Sequence, residues 1–598
     1  MYNEIDEFDN KKDEKKDDKQ EENNDDDEQE EKKDDLNEEM NNELDENEQD
    51  NDEIQQIDMI RDYYQEKTGL NMVQIVDDLS APNLAKLNAS QSKAVHIALT
   101  RPLSLIQGPP GTGKTVVSAT IVYHWVKMRQ GQILVCAPSN VAVDHLTEKI
   151  AAFGAKVVRL EARTREINKS SIENLTLGYQ VKIADSIDAV ELHRLQKQSE
   201  YEGARDRELM EQIRQRLDVV ERSILSQCDV ITCTNAAAGD YRLFEMQFPY
   251  VLIDESTQSL EPESLISLVK GARHTVLVGD QNQLGPNFQT KEAAIAGLQQ
   301  SLFERLILLK IEPVMLQTQY RMHPEIASFS SQQFYDGKIE SGVTAEERTY
   351  RLEASQRNEN QNQLNEQREL VFPWPNPDCP MMFLHSTEND KRGGTSFSNE
   401  NEAKNVLKIV QHLLLKGVAP NQIGVITPYR LQIAYILNCF YKVADSSVLG
   451  KVNLFSKEQF RNIQVASVDA FQGREKDFII FSCVRSNDRD EIGFLRDPRR
   501  LNVALTRAKY GLIILGNAEV LSNFHLWNNL LVHLKERNCL VQGSLNRMRP
   551  AQITLKQSVK LDPIQSVYLP FPSSLDVFIV LLLELLACLE VHIFEQDR

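Results

Sequence analysis

The stretch Gly108-Pro-Pro-Gly-Thr-Gly-Lys-Thr115 has the spacing G-x-x-x-x-G-K-[ST], with the apolar run SLIQ (104–107) before it and a helical pattern opening near Lys114. Those residue types in that order suit the binding of polyphosphate. Backbone N–H groups of Gly111 and Gly113 can cradle anions at a helix N-terminus, where the helix dipole favours negative charge. Lys114 is placed to reach β- and γ-phosphates and Thr115 to ligate Mg2+, while Gly108, Pro109, Pro110 and Thr112 complete the loop. A bare Gly/Pro turn would not require a strand before it and a helix after it.

A pair of carboxylates, Asp254 and Glu255, ends a second apolar run, YVLIDE (250–255). One acidic residue at a strand end beside a phosphate loop can hold Mg2+, and its neighbour can orient and deprotonate water. Taken alone, such a pair is more often solvated charge. The phosphate loop upstream and GDQNQLGP (279–286) downstream favour the catalytic reading, with Gln283 as sensor of a γ-phosphate. Arg321 in QYRMHP (319–324) and Arg507 in NVALTRAK (502–509) are candidates to neutralise charge developing on that phosphate.

The elements that must position these residues follow from the apolar pattern. Short runs at 104–107, 133–138, 156–160, 229–234, 250–255 and 275–280 read as buried strands separated by helices. That alternation indicates a parallel sheet covered on both faces. A second series of the same style comprises 381–385, 422–427, 463–468, 477–484 and 511–516. Residues 184–227 are dense in charge, contain one Gly and no Pro, and read as one or two long exposed helices inserted into the first unit. The boundaries expected are an acidic disordered tail (1–53), a first unit (54–345, insertion about 162–227), a polar loop (346–370), a second unit (371–550) and an extension (551–598).

Charge is distributed unevenly over the 598 residues. Residues 1–53 carry 27 Asp/Glu and 7 Lys/Arg, leaving 62 acidic and 60 basic residues for the remainder, so the net −22 belongs almost wholly to the leader. The body is near neutral, and nucleic acid is not excluded as a partner. The leader has too little apolar surface to offset chain entropy. It also lacks the apolar stretch of a secretory signal and the acid-poor character of a mitochondrial one. Eight scattered cysteines without a Cys-x-x-Cys pair indicate a reducing compartment. Residues 577–589 (VFIVLLLELLACL) fall short of the clean length a membrane span needs and read as a buried or partner-seeking helix, with a membrane anchor as the alternative.

The ordered set LNASQ (87–91), GPPGTGKT, APSNVAVDHL (137–146), DEST (254–257), GDQNQLGP, QYRMHP, ITPYR (426–430), SVDAFQGREKDFII (467–480) and RRLNVALTRAKYG (499–511) resembles superfamily-1 helicases. More narrowly, it is similar to the up-frameshift helicase family, the RNA helicases of nonsense-mediated mRNA decay. The resemblance runs from about residue 84 to 546. It implies an α/β fold of two tandem RecA-like domains, an ATP- and Mg2+-dependent activity, single-stranded RNA as partner, translocation 5′ to 3′, mRNA-decay factors as further partners, a monomeric core, no membrane, and a cytoplasmic location with nuclear shuttling. By the same resemblance Gln91 reads the adenine edge, Tyr320 stacks on the base, Glu475 binds the ribose side, and Arg321 and Arg507 act as finger arginines. Pro138, Ser139, Asn140, Thr234, Thr427, Pro428, Ser467 and Val468 match positions at which the family touches the nucleic-acid backbone. Short polar side chains and free N–H groups at strand ends can grip phosphate and sugar without reading bases.

Three features depart from the family pattern. No Cys/His-rich zinc module and no small β-barrel precede Leu87 in this sequence, and the polar loop near 346–369 is longer. Two other functions compatible with the motifs are a related helicase acting on DNA or RNA–DNA hybrids, and an RNA-binding scaffold without turnover. The presence of Lys114, Asp254, Glu255, Gln283, Arg321 and Arg507 together opposes the scaffold.

Overall fold

Strand β1 (Leu103–Gln107) is preceded by helix α1 (Ala89–Thr100) and followed, across the phosphate loop, by α2 (Lys114–Met128). The computed structural model describes residues 65–66, 68–72, 78–162, 172–202, 206–286, 297–351, 372–445 and 455–559. The acidic leader, most of the polar loop and the apolar segment 577–589 lie outside the described residues.

Chain order continues with β2 (Ile133–Ala137), α3 (Asn140–Ala152), β3 (Val157–Arg159), α4 (Leu177–Ile183), α5 (Ile187–Glu202), α6 (Arg207–Gln227), β4 (Val230–Thr234), β5 (Tyr250–Ile253), α7 (Glu261–Leu268), β6 (His274–Gly279), α8 (Leu302–Leu308) and β7 (Val314–Met315). The seven strands form one sheet in the order β3-β4-β2-β5-β6-β1-β7, every pair parallel. Strands β2 and β5 are apolar without alternation because both faces are buried. Register aligns the carboxyl ends: Gln107 lies opposite Gly279, and Cys136 opposite Ile253. The segments that leave those ends are therefore brought side by side, where open α/β sheets bind ligands.

The charged insertion resolves into two helices running antiparallel, since Ser199 bonds Met210 while Arg216 pairs with Asp188. Its apolar residues Ala189, Leu192, Val220 and Leu225 join Leu177 and Val181 in the core cluster of the first sheet.

A short parallel pair, β8 (Thr318–Gln319) and β9 (Glu340–Ser341), flanks helix α9 (Pro324–Phe334). The second sheet follows: β10 (Met381–His385), the hairpin β11 (Lys391–Gly393) and β12 (Ser396–Ser398), α10 (Glu400–Leu415), β13 (Ile423–Ile426), α11 (Arg430–Asp445), α12 (Lys457–Arg461), β14 (Gln464–Ala466), β15 (Lys476–Ser482), α13 (Pro498–Leu505), β16 (Ala508–Gly516), α14 (Ala518–Leu521), α15 (His525–Glu536), β17 (Leu540–Ser544) and β18 (Arg547–Pro550). Its order is β14-β13-β15-β16-β10-β17-β18, parallel except for the last pair. Alternate residues feed opposite layers: Met381 and Phe383 face one core cluster, Met382 and Leu384 the other.

Two placements differ from the sequence reading. Helix α9, counted there with the first unit, buries Ile326, Phe329 and Phe334 in the cluster that lines the second sheet. The start of the supposed polar loop is anchored as well. Tyr350 is buried in the second sheet's other core layer, against Phe478 and Tyr510.

Candidate active site

The phosphate loop is braced from three sides. Gly111 and Gly113 have φ of +77° and +83°, a left-handed geometry that glycine adopts without penalty. A Cβ on Gly111 would stand 2.7 Å from the Cβ of Arg321, and one on Gly113 would stand 2.6 Å from Nε2 of Gln91. Thr112 closes the turn by donating to Pro109 O, and Gly108 N donates to Gly279 O of β6. Gly113 occupies the N-cap of α2 and has no side chain to satisfy the first amides, so they face the loop. Lys114 Nζ donates to Gly108 O at 2.9 Å and stands 3.7 Å from Glu255 Oε1; Thr115 follows it on the first turn of α2, partly exposed.

Asp254 and Glu255 leave the carboxyl end of β5. Asp254 is fully buried, and its carboxylate accepts from the Glu255 amide at 2.9 Å. Burial, then the adjacent Glu255, pushes its pKa up to about 7 against the pull of Lys114. Glu255 adopts φ of +49°, a strained setting for a side chain of its size, and accepts from Gln258 Nε2 at 2.7 Å. Among the described residues no group of three or more His, Cys, Asp or Glu gathers as a metal site. The hydroxyl of Thr115 and the carboxylate of Asp254 are hard oxygen donors, and Mg2+ typically combines one or two carboxylates with substrate phosphates and water. The residues present fit that ion.

Gln283 is buried in the turn that follows β6, where its amide donates to Asp280 Oδ2 at 2.6 Å. Its carbonyl oxygen accepts from Arg507 Nη2 at 3.4 Å. Arg507, only 2% exposed, follows α13 of the second sheet and also donates to Val503 O and Thr506 Oγ1. Burial, then Arg321, pushes its guanidinium down to about 9, while Glu255 and Glu475 pull the other way. An arriving phosphate would relieve that cost. Arg321 pairs with Glu475 and donates to Thr506 O. Burial opposes ionisation of Glu475, yet Arg321 and Lys509 outweigh it and hold the carboxyl at about 2.

The residues expected on the base side also converge. Gln91 donates to Thr112 O and shares a capping box with Asn88 at the start of α1. Asn88 Nδ2 donates to the hydroxyl of Tyr320 at 2.9 Å, and the tyrosine is 40% exposed.

The residues matched to nucleic-acid contact lie at the other strand ends of the same edges. Pro138, Ser139 and Asn140 follow β2, and Thr234 ends β4. Thr427 and Pro428 follow β13, and Ser467 and Val468 follow β14. Several are occupied locally: Ser139 caps α3, Asn140 accepts from Arg159, and Thr234 and Ser467 accept from backbone amides three residues on. Val468 is buried in the second sheet's core, so only its backbone is available to a ligand. Thr427 is also buried, and its hydroxyl has no hydrogen-bond partner among the described residues.

Sequence reasoning missed a connecting network. The buried carboxylate of Asp280, raised by burial, accepts from Tyr335 at the end of α9, and Asn502 of α13 donates to the Tyr335 hydroxyl and to Asn282 O. Asp280 and Asn502 stand inside motifs that were recognised. Tyr335 has no local signal, because its role arises only when distant segments meet.

Two family models, each described as an AAA domain, match residues 86–200 with 184–291, and residues 298–519. The chain is 51% identical over 482 residues to a regulator of nonsense transcripts 1 homolog from Arabidopsis thaliana, covering 80% of this chain and 36% of that protein. It is 49% identical over 486 residues to the ATP-dependent helicase NAM7 of Saccharomyces cerevisiae, covering 81% and 47%. Over these stretches the chain is similar to the up-frameshift helicases. Identity of 47% to the ATP-dependent helicase upf1 of Schizosaccharomyces pombe covers 80% of this chain and 50% of the relative. The chain thus spans half or less of the length of these family members.

Proposed function

We propose that this chain is an ATP-dependent RNA helicase, an RNA-stimulated ATPase that couples hydrolysis to movement on single-stranded RNA, 5′ to 3′, in nonsense-mediated mRNA decay. The observation that carries the proposal is the contact of Gln283, in the turn after a first-sheet strand, with Arg507 of the second unit. A hydrolysis site made from two sheets can turn a chemical step into relative motion of those sheets.

In this mechanism the loop amides and Lys114 hold the β- and γ-phosphates, while Gln91 and Tyr320 hold the base and Glu475 the ribose side. Thr115 and Asp254 would hold Mg2+, which when bound would supply positive charge to the phosphates. Glu255 aligns water and takes its proton as the water attacks the γ-phosphorus and the bond to ADP breaks. Arg321 and Arg507 balance the charge that develops, and Gln283 reports phosphate departure through Asp280 and Tyr335. Strand-end residues on the two sheets, Pro138 to Asn140 and Thr234 on one, Thr427, Pro428, Ser467 and Val468 on the other, grip the RNA backbone in alternation. A reducing, cytoplasmic setting is proposed from the cysteine pattern of the sequence, and mRNA-decay factors are the partners proposed. Among the described residues no helix is long and apolar enough to cross a membrane.

The test is ATP hydrolysis with and without poly(U), and with single-stranded DNA in its place. RNA should stimulate turnover more than DNA; absence of RNA-stimulated hydrolysis removes the proposal.

A further inference from the structure

Tyr320 is held at four points, two of them by the segment that follows β9. Its amide donates to Gly111 O of the phosphate loop, and its hydroxyl accepts from Asn88. Gly342, just past β9, donates its amide to Gln319 O at 2.8 Å and lies beneath the tyrosine. A Cβ on Gly342 would come within 2.4 Å of the ring's Cε1 and 2.7 Å of Thr318 Cγ2. The fourth point is Arg348. Its Nε donates to Arg321 O at 2.9 Å and its Nη2 to Tyr320 O, so one guanidinium fork grips two successive carbonyls.

Arg348 is itself presented by a closed turn. Thr344 N donates to Glu347 Oε2 at 2.8 Å, and Glu347 N donates back to Thr344 Oγ1 at 3.2 Å. The guanidinium lies 5.9 Å from the ring centre of Tyr510 on β16. Two residues on, buried Tyr350 fastens the turn to the second sheet, with its hydroxyl on Gln422.

We propose that Gly342 and Arg348 are positioning residues for nucleobase binding: together they fix the Tyr320 ring so that its open face is ready to stack. The inference rests on the ATP reading and extends it to residues outside the recognised motifs. A platform already ordered loses little freedom when the base arrives, and affinity rises accordingly. A lysine at 348 could keep the charge but not the planar fork. An alanine at 342 is allowed by the backbone, and its methyl group would displace the ring.

The experiment is equilibrium titration of the full chain, in Mg2+, with ATP and with inorganic tripolyphosphate, which has no base or ribose. Arg348→Ala and Gly342→Ala should weaken ATP binding by about tenfold, with Arg348→Lys between them and the parent, while tripolyphosphate binding changes by less than about twofold. Should Arg348→Ala fail to fold, as read by circular dichroism, the other two variants carry the test. Unchanged ATP affinity, or tripolyphosphate weakened in step with ATP, overturns the inference. If the unsubstituted chain binds neither probe, the ATP reading fails and takes this one with it.

Discussion

At the scale of single residues, the two charged groups nearest the phosphate loop should separate binding from chemistry. Lys114 is the cation at the helix N-terminus, and Lys114→Ala should abolish measurable ATP binding as well as turnover. Glu255 stands at a strand end beside it, and Glu255→Gln keeps the size and the hydrogen bonding but removes the base. Turnover should fall by at least about a hundredfold with ATP affinity nearly retained. Single-turnover hydrolysis beside direct ATP titration checks both variants. Glu475 carries a second prediction, concerning pH. Its acidity is held at about 2, below the ordinary 4.5, so the folded state binds its proton less readily than the unfolded chain. Its contribution to stability is therefore complete above about pH 5 and is lost as pH falls through 4.5 towards 2. The stability gap between the parent and Glu475→Gln, from urea unfolding at pH 6 and pH 3, should narrow at the lower value; a gap independent of pH would contradict the ion-pair account.

Elements meet across the site through a buried ion pair. Glu304 completes the capping box of α8 with Ser301, and its other oxygen accepts from Arg499 of α13 at 2.6 Å. Glu304 is 1% exposed, so removing Arg499 takes this countercharge from a carboxylate that water barely reaches. Arg499→Ala should cost about 2 kcal/mol, less than a fully buried pair because the arginine is partly open to solvent. Denaturant unfolding checks the value, and a loss below about 0.5 kcal/mol would make the contact equivalent to a surface pair. The same region marks where sequence ceases to be legible. Strands such as Ile133–Ala137 and Met381–His385 could be read because burial on both faces leaves a continuous apolar run. The phosphate-loop pattern and the Asp254–Glu255 pair stand out in the sequence because the chemistry proposed for them lies within a few adjacent residues. The two-residue strands β7, β8 and β9 carry too few side chains for any period to show. The packing of α9 on the second sheet, and the partnerships of Tyr335, Asn502 and Arg348, depend on contacts between segments about 30 to more than 150 residues apart. No local pattern encodes those distances.

For the molecule as a whole, the decisive property is that residues from both sheets contribute to the one proposed nucleotide site. Lys114, Asp254, Glu255 and Gln283 stand at strand ends of the first sheet or on the helix that follows, and Glu475 and Arg507 are held by the second. ATP should therefore stabilise both sheets, although the phosphate loop belongs to only one. In Glu255→Gln, where turnover is blocked, ATP at about a hundred times its dissociation constant should add about 2.7 kcal/mol to stability. Amide hydrogen exchange gives the spatial test. Exchange should slow in residues 108–128 and, in the same sample, in residues 498–507, which lie on the far side of the cleft. Replacing Arg507 by Ala as well removes the guanidinium that touches Gln283, so protection should persist at the phosphate loop and vanish from 498–507. Protection confined to the first sheet in Glu255→Gln would mean that ATP is held without engaging the second unit. Hydrolysis would then have no lever on the relative position of the sheets, and the proposed coupling of chemistry to movement would fail even if ATPase activity were present.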